Sequence, residues 1–285
     1  MTDPGVDAGP HAVLRAEMRK GAELLSVAAP PGKAGGTTSD LTVDEALLLH
    51  AAGWAPIDLV CGVTIVSVPF GVWTWGQSGE IGVASDAHGM AVRGAVDRLR
   101  AECRRVDGHG VVGVTVEATV RPHHIEVSLV GTAVRPVSKH PAPSAPFASD
   151  LSARDFTLLV GAGWIPVDLA FGASFVYAPW RSARAAMAQK MQNIELTNYT
   201  QAMYAARELA MERMQQSALA AGGTGVVEVK VSEGPMSFAR HAVGFTAWGT
   251  AVTLVAASHQ YLKPQVILPL DDAVVTFDAT SLRGR

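Results

Sequence analysis

The sequence predicts an α+β protein: two tandem copies of one β-α-β-β unit, each led in by a short helix. Three observations carry this. The chain repeats itself, the repeat resumes in later blocks, and within each copy helical and strand periodicities follow in the same order. SDLTVDEALLLHAAGWAPIDLVCGVTIVSVP, from Ser39, returns as SDLSARDFTLLVGAGWIPVDLAFGASFVYAP from Ser149, an offset of 110. GHGVVGVTV from Gly108 returns as GTGVVEVKV from Gly223 at offset 115, and GTAV from Gly131 returns from Gly249 at offset 118. Matches of this length in one order are the mark of a duplicated gene.

Each element has a local cause. Thr42 with Glu45, and Ser152 with Asp155, have the spacing of a capping box, in which a hydroxyl takes a free helix N–H and an acid reaches back. The short helices they start end at Gly53 and Gly163. Residues 56–68 and 166–177 are rich in β-branched and aromatic side chains and predict a strand. Val92, Val96, Leu99, Cys103 and Val106 recur at helical spacing, as do Tyr199, Met203, Ala206, Ala210 and Met214. Residues 111–119 with 125–134, and 226–232 with 243–254, complete each copy as an antiparallel hairpin.

The boundaries follow. Residues 1–40 are an arm with a short helix near 12–25, 41–135 the first unit, and 151–257 the second. Between them PVSKHPAPSAPFASD, residues 136–150, is too rich in proline for helix or sheet and predicts an extended linker. Residues 258–285 form a tail, in which PQVILPL at 264–270 suits an edge strand.

Composition excludes several classes. At 48% hydrophobic and 17% charged residues, 285 residues can bury a large core, which rules out global disorder. The net charge is −3 and no Lys/Arg run exceeds a pair, so there is no basic stripe to neutralise phosphates and no nucleic-acid partner is expected. Cys61 and Cys103 are too few for a disulfide scaffold or a Cys₄ zinc site, and the N-terminal residues lack the apolar core of a signal peptide. A reducing, cytoplasmic setting is therefore expected. Residues 59–79 carry no charge and are long enough to span a bilayer. Pro69, the four glycines of that stretch and Arg181 in the second copy argue instead for a buried strand and turn, with no membrane span.

A strand ending in Cys61-Gly62, the helix residues Ala205-Ala206-Arg207-Glu208 running on to Gly222, Gly110-Val111-Val112-Gly113 and the two GTAV strings together resemble the YbjQ-like family, whose domains carry a heavy-metal-binding label. The resemblance spans about three quarters of the chain. It implies a dodecin-like subunit that closes into a cyclic homopentamer, with no settled biochemical role. This sequence departs from the pattern in having Phe171 where the first copy has Cys61, and in a shortened helix region in the first copy. Independently, apolar three-stranded sheets with free edges call for cover by neighbours, which also predicts a homo-oligomer; that five chains are favoured is what the resemblance implies.

Candidate chemistry is sparse. GHGVVG at 108–113 has the form G-x-G-x-x-G, but it follows a helix and opens a strand, the reverse of a dinucleotide site, so it is a turn. No phosphate loop, zincin or serine-elbow motif occurs, and no catalytic residue is assigned. His123 and His241 share one position in both copies and are the candidate metal ligands. Cys61 is a third, weighed against a small core residue, as is Cys103. Trp73, Trp75 and Trp180 lie in the loop after the first strand, as a ligand or partner platform or as cover for a neighbouring subunit's core. Asp58 and Asp168 are lone acids and read as strand-end contacts. The leading expectation is a non-enzymatic, self-assembling ring protein. A metal-binding or metal-storage protein with His at subunit boundaries, its cofactor a transition metal, is the alternative, and a small aromatic-ligand carrier the second.

Overall fold

A computed structural model describes residues 38–69, 71–73, 79–138, 145–178, 195–239 and 241–256. The chain divides into two units, 1–38 and 39–285, and every element described belongs to the second. The expected helix near 12–25 and the tail at 258–285 lie outside the described residues, as do Trp75 and Trp180.

The described residues form an α+β fold with four helices and two four-stranded sheets. Helices α1 (Val43–Ala51) and α3 (Ala153–Gly161) start as their caps require. Thr42 Oγ1 accepts from the Glu45 amide at 3.3 Å while Glu45 accepts from the Thr42 amide at 2.9 Å, the reciprocal box. Ser152 Oγ accepts from the Asp155 amide at 3.1 Å. Both helices close into a left-handed glycine, Gly53 at φ +81° and Gly163 at φ +86°, where a Cβ would be strained.

One sheet has the order β1-β4-β3-β5, with β1 (Trp54–Ser67), β3 (Gly110–Val120), β4 (His124–Pro136) and β5 (Phe147–Ala148). The other has the order β2-β6-β8-β7, with β2 (Gly79–Glu80), β6 (Trp164–Tyr177), β7 (Gly225–Pro235) and β8 (Ala242–Leu254). The two registers agree residue for residue. Ser67 faces His124 as Tyr177 faces Ala242, and bulges fall between Pro56 and Asp58 and between Pro166 and Asp168. β3 and β7 also bulge at one place, where Gly113 has φ +66° and Glu228 φ +52°.

Helices α2 (Gly82–Arg105) and α4 (Thr197–Ala220) are each 24 residues long, which corrects the expected shortening of the first. Each crosses its sheet over a glycine. A Cβ on Gly62 would stand 2.1 Å from the Ala95 carbonyl oxygen, and one on Gly172 would stand 2.0 Å from that of Ala210. Below α4 lies a core of Ala206, Ala210, Met214 and Phe245; below α2, Leu99 and Cys103 are buried with Val127 and Leu129. Burial, only partly offset by the Arg104 charge, pushes the Cys103 thiol up to about 12, and Cys103 is a core residue as its place in the helical stripe predicts.

Two expectations change. Cys61 is exposed, on the face of β1 away from α2, because Gly62 holds the helix side and strand neighbours alternate. The end of the expected spacer joins the first sheet, with β5 parallel to β3. The Phe147 ring occupies the space a Cβ on Gly110 would need, stacks on Phe156 at 5.8 Å, and meets Trp54 edge-on at 6.0 Å.

Candidate functional site

The densest polar geometry lies where the two halves meet. Helix α2 covers β1 and β4 with one side and reaches β6 with another. Its N-terminal turn closes the edge of β6: the Ile81 amide donates to the Phe175 carbonyl at 2.7 Å, and the Phe175 amide donates to Ser85 Oγ at 3.1 Å. Just before it, Glu80 accepts from Ser174 Oγ at 3.0 Å and from Arg213 Nη2 at 3.0 Å. Burial by itself would raise the Glu80 carboxyl, but the hydrogen bonds of Arg213, Ser85 and Ser174 outweigh it and hold the group below its ordinary value. Further along, Arg100 pairs with Asp168 at 2.7 Å. There burial prevails over the arginine and raises the Asp168 carboxyl. The expected strand-end contact of Asp168 is thus an ion pair that ties one half to the other.

The second half returns the contact. Residues 149–151 lie beside β3, where Val114 donates to the Ser149 carbonyl at 3.0 Å and Gly113 to that of Leu151 at 2.8 Å. Asp150, buried, accepts from Thr250 Oγ1 at 2.6 Å and from Lys230 Nζ at 3.2 Å. Thr132 donates to Asp40 in the same way. The Gly-Thr of the two GTAV strings therefore has one purpose: each threonine anchors the aspartate of a Ser-Asp-Leu segment, and each glycine lets the neighbouring strand close in. A Cβ on Gly131 or Gly249 would come within 2.8 Å of that strand.

The residues singled out from the sequence are scattered around this joint. His123 lies in the β3–β4 turn and His241 just before β8, and their carbonyls do the same work, accepting from Val68 at 2.8 Å and Ala178 at 2.7 Å. His241 Nδ1 also bonds the Tyr199 hydroxyl. Cys61 stands on the outer face of β1, its amide donating to Glu102 at 2.8 Å; burial and the Glu102 charge raise its thiol. Trp73 donates from Nε1 to the Pro122 carbonyl at 3.1 Å and meets Phe238 and Phe175 edge-on at 5.1 and 5.8 Å, so its ring is engaged within the chain. His88 in α2 is buried, neither ring nitrogen having a partner among the described residues, beside Phe175, on the wall of a cleft of about 430 Å³ between β3 and β7.

A heavy metal would require several soft or imidazole donors at one point. Among the described residues no three His, Cys, Asp or Glu side chains converge, so a single described chain does not supply that donor set. Nor is any described helix long and apolar enough to cross a membrane. Sequence reasoning passed over Glu80, Ser85, Arg98 and Arg213. Their signal was present, since offset 115 places Glu80 on Glu195 and Arg98 on Arg213.

The family described as "Putative heavy-metal-binding", YbjQ, matches residues 179–255, which hold α4, β7 and all of β8. The encapsulin nanocompartment protein Rv1762c of Mycobacterium tuberculosis is 37% identical over 243 residues, 82% of this chain and 92% of that protein. No solved structure matches. The family match falls on the second half of the duplicated pattern and the relative runs through most of the chain, so this protein belongs to the YbjQ-like family.

Proposed function

We propose that this chain is a non-enzymatic assembly subunit of the cytoplasm, built of two duplicated units, which closes with further copies into a ring of five chains and serves an encapsulin nanocompartment. One observation carries the reading. The outer face of β1 is bare while the matching face of β6 is covered: Ile65 is 62% exposed and its counterpart Phe175 1%. Leu59, Val63 and Ile65 form an apolar row on a strand whose outer edge pairs with no other strand among the described residues, an arrangement that soluble proteins close by assembly. The nanocompartment is taken from the relative's name. No metal enters the reading, because the described chain does not gather the ligands one would need.

Mass photometry of the full chain at micromolar concentration tests it. The expected mass is five times 29.8 kDa, and co-expression with an encapsulin shell should place the protein in the shell fraction. A monomer across the whole concentration range would overturn the reading.

A further inference from the structure

We propose that copies join head to tail by repeating the contact that joins the two halves of one chain: α4 and residues 195–200 of one copy close the open edge of β1 in the next, while residues 39–41 of that next copy close β7 of the first. The inference rests on the assembly reading above and says which surfaces carry it.

Several surfaces used inside the chain have counterparts left open among the described residues. Inside, Ile81 is 6% exposed against β6, but Leu196, which begins α4 as Ile81 begins α2, is 51% exposed. Ser85 is buried under Phe175, whereas Thr200 is half-buried and no strand lies against it among the described residues. On the other side of the contact, residues 149–151 are buried beside β3, yet the same Ser-Asp-Leu at 39–41 is exposed at Ser39 and Asp40 and half-buried at Leu41. The strand such a segment would cover is equally open. Val114 in β3 is 3% exposed and Val229, its counterpart in β7, 42%. Each chain therefore has a β1 edge and a 39–41 segment at one end, and an α4 face and a β7 edge at the other. These are the two halves of one joint.

Charge and hydrogen bonding agree. By the shared register, the Ile65 amide and carbonyl point to the open edge as those of Phe175 point to Ser85 and Ile81, so Thr200 and the Leu196 amide are the matching partners. Arg98 donates to Thr64 within its own chain, as Arg213 approaches Ser174 through Glu80, but its Nε has no partner among the described residues. Arg213 takes Glu80; Glu195, exposed, is the same residue one copy later and fits Arg98 of the next chain. Gln215 likewise stands at the position of Arg100, facing Asp58 in place of Asp168. A head-to-tail contact of this kind forms a closed ring when its rotation closes and a filament when it does not, and each ring it forms holds an even number of units.

The test uses the full chain with sedimentation and electron microscopy. Ile65→Arg, at a position exposed in the single chain, should stay folded by circular dichroism and lose assembly. Arg98→Glu and Glu195→Arg should each weaken assembly about 100-fold through like charges at every joint. The double variant Arg98→Glu/Glu195→Arg should restore it, which also shows that the single variants did not merely misfold. If the wild type assembles and these variants assemble identically, the joint is wrong while the assembly reading stands. A wild type that never assembles overturns both. Open filaments that the same variants disrupt would support the joint and refute the closed ring.

Discussion

Replacing Gly172 with alanine tests the most crowded contact in the second half. The added Cβ would sit 2.0 Å from the Ala210 carbonyl oxygen and 2.6 Å from the Met214 amide nitrogen. Both are backbone atoms, so no side chain can swing aside and α4 itself has to retreat. Ordinary contact would move the helix by more than about 1 Å, and a gap of that size forfeits a quarter to a half of the dispersion energy of each contact it opens. The contacts at risk are those of Ala206, Ala210 and Met214 with the sheet. Overpacking usually costs about 1–3 kcal/mol, and a clash with backbone belongs at or beyond the upper end. For about 3 kcal/mol, a chain of this size should lose about 6–12 °C in Tm. Thermal unfolding followed by circular dichroism measures it, at one fixed protein concentration because assembly also shifts the apparent Tm. Gly82→Ala is the control: no atom lies within 4 Å of its Cβ position, so its Tm should hold or rise. Gly62→Ala should match Gly172→Ala. If Gly172→Ala melts within about 2 °C of the wild type, the close helix crossing does not exist as described.

Two further outcomes follow from the buried and repeated histidines. Burial lowers the His88 imidazole to about 4 from its ordinary 6.5. The native chain therefore resists a proton that the unfolded chain accepts, so the stability is complete above about pH 6.5 and falls as the pH drops toward 4, by about 3 kcal/mol in all. His88→Met, which installs the residue found at the matching position Met203, should remove that slope from urea titrations run at several pH values; an unchanged slope would refute the assignment. Elemental analysis of purified protein should show no stoichiometric metal, in the wild type or in His123→Ala/His241→Ala. About one metal ion per chain, lost in that double variant, would establish a site made by ligands from more than one copy.

What could be read in the sequence was whatever repeats locally. The capping pairs, the glycines that end the first helices, the helical stripes and the alternating strands all depend on neighbours within a few residues, and the offsets of 110, 115 and 118 fixed the order of elements in both copies. Gly62 and Gly172 stood out as a repeated pair, but that a helix backbone lies on them is a fact of packing. The tertiary structure alone decided which copies of a repeated surface are covered. Ile65 and Phe175, or Leu41 and Leu151, occupy matching places in the repeated sequence, and nothing in their own segments says that the second of each pair is buried while Ile65 is exposed and Leu41 half-buried. That difference arises because Phe175 and Leu151 pack against the other half of the chain, while Ile65 and Leu41 are less covered by the described residues.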